Sequence, residues 1–202
     1  IGYVREKAKN EHRYHYHQVP YDYEPVFAAG TMLGVKSTFD ILRILEVMEL
    51  GCIDVMSGGV ALAWATEAFQ KGLISEEQTL VSLKFGDPEG YEQAAYHLCR
   101  GTNEFYSLLC QGTLKAAEQF GGTEFACVLG QEMAGYATGE LFFAAQSLGF
   151  RHSHLDTGAY SWDQKNSDKN VDEAVTFLVD DETGRVFLTS MVACLFARSV
   201  YK

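Results

Sequence analysis

Long apolar runs, basic side chains and paired cysteines are all scarce in this chain of 202 residues. No uninterrupted apolar run reaches the roughly 18 residues that a membrane-spanning helix needs, so no such helix is predicted. The chain has 16 Lys and Arg residues against 27 Asp and Glu residues, which gives a formal net charge of −11 at pH 7. Nucleic acids and anionic membranes both attract basic surfaces, so the sequence predicts neither as a partner.

The cysteines are widely spaced and odd in number, with no CxxC pair among them: Cys52, Cys99, Cys110, Cys127 and Cys194. This usage argues against a secreted disulfide framework and favours a reducing, cytoplasmic setting. It provides no complete metal site within the chain. A small buried side chain is the ordinary interpretation of each cysteine taken singly.

The amino-terminal stretch is polar and aromatic, and it alternates over RYHYHQ at positions 13–18. Alternation predicts a short strand. His12, His15 and His17 suggest a metal site, but no acidic or cysteine partner stands at suitable spacing, so an edge strand is favoured. Ile1 is not an initiator methionine and no signal-peptide pattern follows it. We therefore expect a fragment or a processed product.

Helical periodicity dominates from Ser37 onward. Ser37 and Asp40 predict an amino-terminal cap, and Gly51 is predicted to end that helix. Ser75 and Gln78 indicate a capping box. Further helices are predicted over 55–71, 88–100, 103–120, 138–148, 170–179 and 185–201, with an extended run over 125–129 and a turn or helix start over 181–184.

The helix over 55–71 is apolar almost all round and is predicted to be central and buried. The helix over 138–148 is predicted to carry one apolar stripe, formed by Leu141, Phe142, Ala145 and Leu148. With only three prolines and no low-complexity linker, the fold class is mainly α, a helical two-lobe arrangement. We place the domain boundary near residues 121–123, which gives helical domains over 1–121 and 122–202.

The segment LGFRHSHLDTGAYSWDQ, residues 148–164, is the most crowded with titratable groups. Such a loop between apolar helices is where catalytic residues are usually found. His152, His154 and Asp156 have a spacing known from metal hydrolases. On an extended segment all three would face one way, which leaves a small zinc or non-haem iron enzyme as one alternative.

Four blocks of sequence resemble, in order, segments of the tungsten-dependent aldehyde:ferredoxin oxidoreductase family. DYEPVFAAGTMLGV is similar to its E-Y-E segment, and MELGCIDVMSGGVALAWATEAFQKGLIS to its D-x-x-G-L-D segment and the helix that follows. LGQEMAGYATGELFFAAQSLGFRHSHLD is similar to its K-G-Q-E and R-G-x-x-H segments, and VACLFARSVY to its D-x-x-G-L-C-x-F segment. The family's β-rich first domain and its C-x-x-C-x-x-x-C motif are not in this sequence. The resemblance is therefore to the second and third, helical domains.

The resemblance implies an oxidoreductase that holds tungsten, or molybdenum, between two pterins beside a [4Fe-4S] cluster. Family members convert an aldehyde and water to a carboxylate and pass two electrons to ferredoxin. Many are dimers, so the resemblance also allows a homodimer. It implies that this chain alone is not catalytic, and that the 202-residue polypeptide purifies without metal.

Carried over residue by residue, the resemblance makes Cys194 the fourth cluster ligand and Glu24 a carboxylate near the metal that acts as a general base. His154 would hydrogen-bond an oxygen of the substrate or of the metal, and His152 would take that role if the alignment shifts. The alternatives are a core cysteine in the last helix, a surface carboxylate and a structural histidine.

The same resemblance makes Glu49 and Asp54 the contacts to the pterin, because carboxylates suit its amino and ring N–H donors. Arg151 would bind a pterin phosphate or a carboxylate product, with a surface salt bridge as the alternative.

The chain also departs from the family pattern. Cys52 and Val192 stand where the family has glycine, Thr189 where it has aspartate, and Leu129 where lysine is common. These departures indicate a divergent subfamily, for which a benzoyl-CoA-reductase-like substrate is one option. They also leave open a cofactor-free helical scaffold or interaction protein that retains the fold.

Overall fold

A computed structural model describes residues 2–5, 15–137, 139–167 and 170–201. The chain forms two compact units, unit 1 (Ile1–Cys127) and unit 2 (Val128–Lys202). Helices dominate both units, which confirms the mainly α fold class. The predicted domain boundary at residues 121–122 lies shortly before the division between the units and stays a prediction.

Unit 1 begins with a two-stranded antiparallel sheet in which Tyr3 pairs with His17. Its elements are β1 (Gly2–Arg5), β2 (His15–Gln18), α1 (Tyr23–Val26), a π-helical segment (Phe27–Thr31), α2 (Thr38–Leu50), α3 (Val55–Gln70), α4 (Glu76–Thr79), α5 (Pro88–Arg100), α6 (Glu104–Leu109), α7 (Thr113–Phe120) and a 3-10 turn (Thr123–Phe125). The strand predicted over 13–18 forms at its last four positions, while residues 13 and 14, like His12, lie outside the described residues.

The amino-terminal cap of α2 forms as predicted, since Ser37 Oγ accepts the Asp40 N–H at 3.4 Å. The helix ends at Leu50 with Gly51 as its carboxyl-terminal cap, as predicted, and the left-handed residue that follows is Cys52, with φ 56°. Gly51 has a right-handed backbone with φ −83°. A side chain there would overlap the Cys99 thiol, so its role is to leave space.

Helix α3 is central to unit 1, as predicted. Nearly all of its turns are buried, and Trp64 stacks on Phe105 at 6.3 Å between ring centroids. The indole Nε1 of Trp64 also donates to Gly122 O at 3.3 Å, so a polar tip inside an apolar core has a partner. The buried apolar cluster of this unit extends from Val19 to Ala126.

The prediction of a single helix over 103–120 is wrong. The chain forms α6, capped by Asn103, and then α7, with a break at Gly112. Gly112 has φ 120°, a conformation that a side-chain-bearing residue rarely adopts. The periodic pattern continues through this glycine, which explains why the break is not apparent from apolar spacing.

Unit 2 contains α8 (Glu140–Leu148), α9 (Ala159–Lys165), α10 (Val171–Ser190) and a 3-10 helix (Leu195–Tyr201). In place of an extended run over 125–129, the chain forms a tight turn closed by a bridge between Val128 and Gln131. The predicted stripe of α8 is partly wrong, because Leu148 is 80% exposed while Phe142 and Ala145 are buried. Position 138 lies outside the described residues.

Helix α10 runs without a break through the predicted turn at 181–184. Asp181 and Arg185 pair across one helical turn at 2.7 Å, which favours continuation. The helix predicted over 185–201 is also wrong, because α10 ends at Ser190 and Val192 takes a left-handed φ of 59°. Within the described ranges, no helix is both long and apolar enough to cross a lipid bilayer.

Candidate functional site

Buried polar side chains are concentrated in unit 2. Unit 1 buries only threonines among its described polar residues, whereas unit 2 buries Gln146, Asp156, Thr157 and Arg185. Burial of charges and amides costs free energy unless partners compensate them. This polar interior lies beside the histidine loop, residues 149–158, and makes unit 2 the first place to look for chemistry.

Helix α10 holds the histidine loop at both ends. Glu182 Oε1 accepts the Phe150 N–H at 2.7 Å, and Asp181 Oδ2 accepts the Gly158 N–H at 2.5 Å. Asp181 also receives Arg185 Nε at 2.7 Å. The loop conformation is thus fixed by acidic side chains from a helix that lies more than twenty residues further along the chain.

Asp156 organises the loop from within. Its side chain is fully buried and accepts the Arg151 N–H at 2.7 Å, the Arg151 Nε at 2.7 Å and the Ser153 N–H at 3.2 Å. Burial alone would raise the pKa of this carboxyl, but the hydrogen bonds and the guanidinium charge outweigh burial and hold the pKa below its ordinary value. Asp156 is therefore a structural anion at neutral pH.

The side chain of Arg151 is 40% exposed and is held by Asp156 through Nε. A guanidinium fixed in this way keeps further N–H donors for a phosphate or a carboxylate. Its predicted cofactor contact remains compatible with this arrangement, and the salt bridge that was its alternative is also present.

The two loop histidines differ in environment. His152 is exposed in a left-handed backbone conformation with φ 56°, and its Nδ1 lies 3.1 Å from the carbonyl oxygen of Ser147 at the end of α8. His154 is half-buried, and its ring forms an edge-to-face contact with the ring of Tyr136, with 5.9 Å between the ring centroids. The surroundings of His154 are less exposed to water and better suited to a hydrogen bond with a reacting oxygen.

The alternative metal site formed by His152, His154 and Asp156 requires an extended segment, and that prediction is wrong. The segment is a series of turns, and the Asp156 carboxylate faces the loop amides. Across the described parts of the chain, no group of three His, Cys, Asp or Glu side chains is arranged to hold a metal ion.

Cys194 is exposed and lies between α10 and the last 3-10 helix, so its predicted position inside a helix is wrong. Its backbone oxygen accepts the Ala197 N–H at 3.0 Å. An exposed thiol that follows a helix end is accessible to an iron atom, whereas a sulfur packed among aliphatic side chains is not.

The remaining cysteines all lie in unit 1, and they are not the fully buried small residues that their ordinary interpretation predicts. Cys52 and Cys110 are exposed, and Cys99 and Cys127 are half-buried. Burial raises the pKa of the Cys99 thiol, and Cys110 nearby raises it further. A thiol of this kind stays protonated at neutral pH and is a poor metal ligand.

Glu24 lies in α1, just before the π-helical segment, and is half-buried. That segment packs closely on α3, since a Cβ added at Gly59 would lie 2.6 Å from the carbonyl oxygen of Ala28. π-Helical turns are rare and occur often at functional sites. The tight packing therefore holds the π-helical backbone that begins three residues after Glu24.

The two carboxylates predicted to contact a pterin stand on either side of one turn. Glu49 is exposed in the last turn of α2, where the helix dipole disfavours a negative charge, so local stability does not account for it. Asp54 caps α3 by accepting the Ser57 N–H at 2.8 Å, so it has a structural role in any case.

The suggested histidine group near the amino terminus overlooked an acidic partner. Nδ1 of His17 contacts the carboxylate of Glu46, which α2 brings next to β2. His12 lies outside the described residues, and the side chain of His15 is not among those described. A histidine–glutamate pair is a common structural contact and does not by itself make a metal site.

A cavity of about 860 Å³ also opens in unit 2, between α9 and α10. Trp162, Phe177 and Phe187 line it together with Asp181 and Arg185. Neither His154 nor Cys194 is among its lining residues, so we assign the candidate site by its chemistry and not by this cavity.

Comparison with known families decides what this arrangement belongs to. The model of the family "Aldehyde ferredoxin oxidoreductase, domains 2 & 3" matches residues 3–202.

The chain belongs to the aldehyde ferredoxin oxidoreductase family.

Two curated relatives are tungsten-containing aldehyde ferredoxin oxidoreductases. The one from Pyrococcus abyssi is 29% identical over 120 residues, or 57% of this chain, and the one from Pyrococcus horikoshii is 28% identical over the same length and share. An uncharacterized protein of Methanocaldococcus jannaschii is 26% identical over 116 residues, or 48% of this chain. These matches span only 20%, 20% and 19% of the relatives' own lengths.

Two departures from the aldehyde ferredoxin oxidoreductase pattern now have a structural setting. Cys52 and Val192, which replace glycines of the pattern, are both left-handed residues that follow helix ends. After α10, Val192 N–H donates to Thr189 O and Ala193 N–H to Leu188 O, both at 3.0 Å. This hydrogen-bond pattern is a Schellman motif, in which glycine is the preferred residue. The family pattern thus describes the backbone correctly even where this chain has lost the glycine.

Several residues that build the site cannot be identified from the sequence pattern. The sequence pattern places Asp181 and Glu182 in a turn or a helix start and Arg185 at the start of the last helix, and it does not single out Asp163, which accepts the Phe142 N–H at 2.9 Å. Each acts on a segment more than twenty residues away. Gln146 is buried in α8, and a glutamine on the apolar face of a predicted helix is the kind of signal in a sequence that indicates such a residue.

Proposed function

We propose that this chain is the helical part of a tungsten-bispterin, iron–sulfur oxidoreductase that oxidises aldehydes to carboxylic acids and passes the electrons to ferredoxin. The observation that carries the proposal is the family match over residues 3–202. The tungsten-containing relatives favour tungsten over molybdenum. Cysteine usage favours a cytoplasmic protein.

The residues present fit one part of such a cofactor assembly. A [4Fe-4S] cluster takes four ligands, usually thiolates, and the exposed thiol of Cys194 can supply one. The other three would have to come from a C-x-x-C-x-x-x-C motif like that of the family, which these 202 residues do not contain. Glu49, Asp54 and Arg151 would hold pterin groups through charge-assisted hydrogen bonds.

A tungsten–bispterin centre and a cluster held by these residues would supply the two-electron redox chemistry. In the overall reaction an aldehyde and water give a carboxylate, three protons and two electrons. The half-buried His154 donates a hydrogen bond to the aldehyde oxygen, on which negative charge develops. Glu24 accepts a proton from water as a general base. His152 is a weaker candidate because its Nδ1 already contacts the end of α8.

The test uses the complete enzyme produced with tungstate under anaerobic conditions. Tungsten and iron are measured by elemental analysis, and activity by aldehyde-dependent reduction of ferredoxin. We expect His154→Asn to lower kcat by about two orders of magnitude and Cys194→Ser to lower the iron content. His152→Asn is the matched control and is expected to keep most of the activity. A fully active His154→Asn enzyme contradicts the proposed role, and absence of tungsten from the wild type contradicts the proposed function.

A cofactor-free scaffold is the second candidate, and one observation favours it. Thr189 stands where the family has an aspartate, and its hydroxyl donates to Arg185 O at 2.9 Å within α10. A hydroxyl used in this way does not replace a carboxylate that receives pterin N–H groups. The same elemental analysis decides between the two candidates, since a scaffold stays free of tungsten and iron even when both are supplied.

A further inference from the structure

The side-chain amide of Gln146 in α8 is buried without hydrogen-bond partners among the described residues. Its side chain is 2% exposed. No other group within the described residues hydrogen-bonds to its Oε1 or its Nε2. Most buried polar atoms in proteins do have a partner, so this residue calls for a specific explanation.

The position of Gln146 connects it to the histidine loop. It follows Phe142 by one helical turn, so the two side chains share the buried face of α8. Tyr136 contacts both Phe142 and His154, at 6.0 and 5.9 Å between ring centroids. The helix face that carries Gln146 is thus continuous, through one aromatic ring, with the histidine that the proposed function places near the substrate.

A carboxamide offers one acceptor oxygen and two N–H donors side by side. When both remain unpaired in a dry interior, the folded chain loses the hydration of both groups and gains nothing in return. A methionine would fill nearly the same volume without this cost. Such a glutamine is expected where a ligand, absent from the chain by itself, supplies both hydrogen bonds.

We propose that the Gln146 carboxamide binds the ring edge of a pterin, with Oε1 accepting a ring N–H and Nε2 donating to a ring carbonyl. This inference rests on the proposed function. The aldehyde is a poorer fit, because its carbonyl oxygen only accepts and would leave Oε1 unpaired. A pterin edge presents a donor and an acceptor together and satisfies both atoms.

The first test measures urea unfolding of the 202-residue chain without cofactor. Gln146→Met is expected to shift the unfolding midpoint to higher urea, because it removes two unpaired polar groups. Gln78→Met is the matched control. Gln78 Oε1 accepts the Ser75 N–H at 2.7 Å, so the same substitution there is expected to lower the midpoint. If Gln146→Met does not fold, Gln146→Leu replaces it. A lower midpoint or a failure to fold in both variants means that the amide has an internal partner, and it overturns the proposal.

The second test measures pterin per chain in the complete enzyme after gel filtration. Gln146→Met is expected to retain the pterin about tenfold more weakly, as loss of a hydrogen-bonded pair predicts. Gln146→Glu keeps the acceptor and is expected to lie between that variant and the wild type. Equal pterin in wild type and Gln146→Met overturns this inference alone, whereas a wild type without pterin overturns the proposed function and this inference with it.

Discussion

At the scale of the residue, Asp156 shows how one buried charge can define a loop. Three N–H groups within five residues converge on its carboxylate, and two of them belong to Arg151. An amide at this position would keep one acceptor oxygen but present an N–H group to donors. The loop that carries His154 is therefore expected to loosen when this single charge is removed.

The first prediction concerns Asp156→Asn, which is expected to lower the free energy of unfolding at pH 7 by about 2 kcal/mol. Folding lowers the pKa of this carboxyl below its ordinary value of 3.8, so the unfolded chain binds the proton more readily. The stabilisation is complete above the ordinary pKa and is lost as the pH falls through the lowered native pKa. Urea unfolding between about pH 2.5 and pH 7 measures both effects.

Below neutral pH, the free energy of unfolding of Asp156→Asn is expected to fall less steeply with decreasing pH than that of the wild type. Asp40→Asn is a control, since the Asp40 side chain is 25% exposed and its pair with Arg43, at 3.3 Å, is longer than that of Asp156 with Arg151. Equal stability of Asp156→Asn and wild type at neutral pH would show that the carboxylate charge does not stabilise the loop.

The second prediction concerns Val192, a β-branched residue held at φ 59° with its side chain 93% exposed. Val192→Gly is expected to raise the free energy of unfolding by about 1 kcal/mol, because glycine adopts this backbone without strain and little packing is lost. Val192→Ala keeps the strain and serves as the control. Thermal unfolding of the three chains measures the difference, and a glycine variant no more stable than the alanine variant contradicts the argument.

At the scale of the element, α10 is the scaffold of the candidate site. Asp181, Glu182 and Arg185 reach Gly158, Phe150 and Leu155 of the histidine loop. Local sequence does not reveal these contacts, because a run of acidic residues before a glycine resembles a turn. Only the packing of the loop against the helix shows that they are partners of distant backbone groups.

The third prediction concerns Asp181→Ala, which removes the acceptor for both Gly158 N–H and Arg185 Nε. We expect faster amide exchange across residues 149–158 and a loss of about 2 kcal/mol in the free energy of unfolding. Asp180→Ala is the matched control on the same helix, with an exposed side chain. Hydrogen exchange measured by mass spectrometry compares the two variants. Unchanged protection of the histidine loop in Asp181→Ala would contradict the conclusion that α10 holds this loop in place.

At the scale of the whole molecule, the two units differ in what they bury. Unit 1 has a large apolar core around α3, whereas unit 2 encloses an amide, a carboxylate and a guanidinium. An apolar core of this kind explains stability without reference to function. The polar interior of unit 2 fits a unit that contributes to a binding site.

The fourth prediction concerns metal. The isolated 202-residue polypeptide is expected to purify without stoichiometric tungsten or iron, because the proposal assigns it one cluster ligand, Cys194, where four are needed. Elemental analysis of the purified chain measures this, with Cys194→Ser as a control for adventitious binding. Stoichiometric iron in the wild-type chain that disappears in Cys194→Ser would show that the chain holds a metal centre by itself.

Much of the fold could be predicted from the sequence, because its signals are local. The cap at Ser37, the capping box at Ser75, the helix from Pro88 to Arg100 and the buried α3 all depend on residues within a few positions of one another. The positions at which helices are interrupted or end are harder to predict. Gly112 divides a periodic pattern, and Val192 ends a helix without the expected glycine.

The sequence by itself determined the family and the helical class of this protein, because motif order and apolar periodicity are properties of the chain alone. Only the tertiary structure decided which side chains hold the histidine loop, that Asp156 is a buried structural anion, and that Gln146 has both amide atoms buried without a described partner. The physical reason is the same in each case. Burial and hydrogen bonding depend on segments that lie far apart along the chain and become neighbours only when it folds.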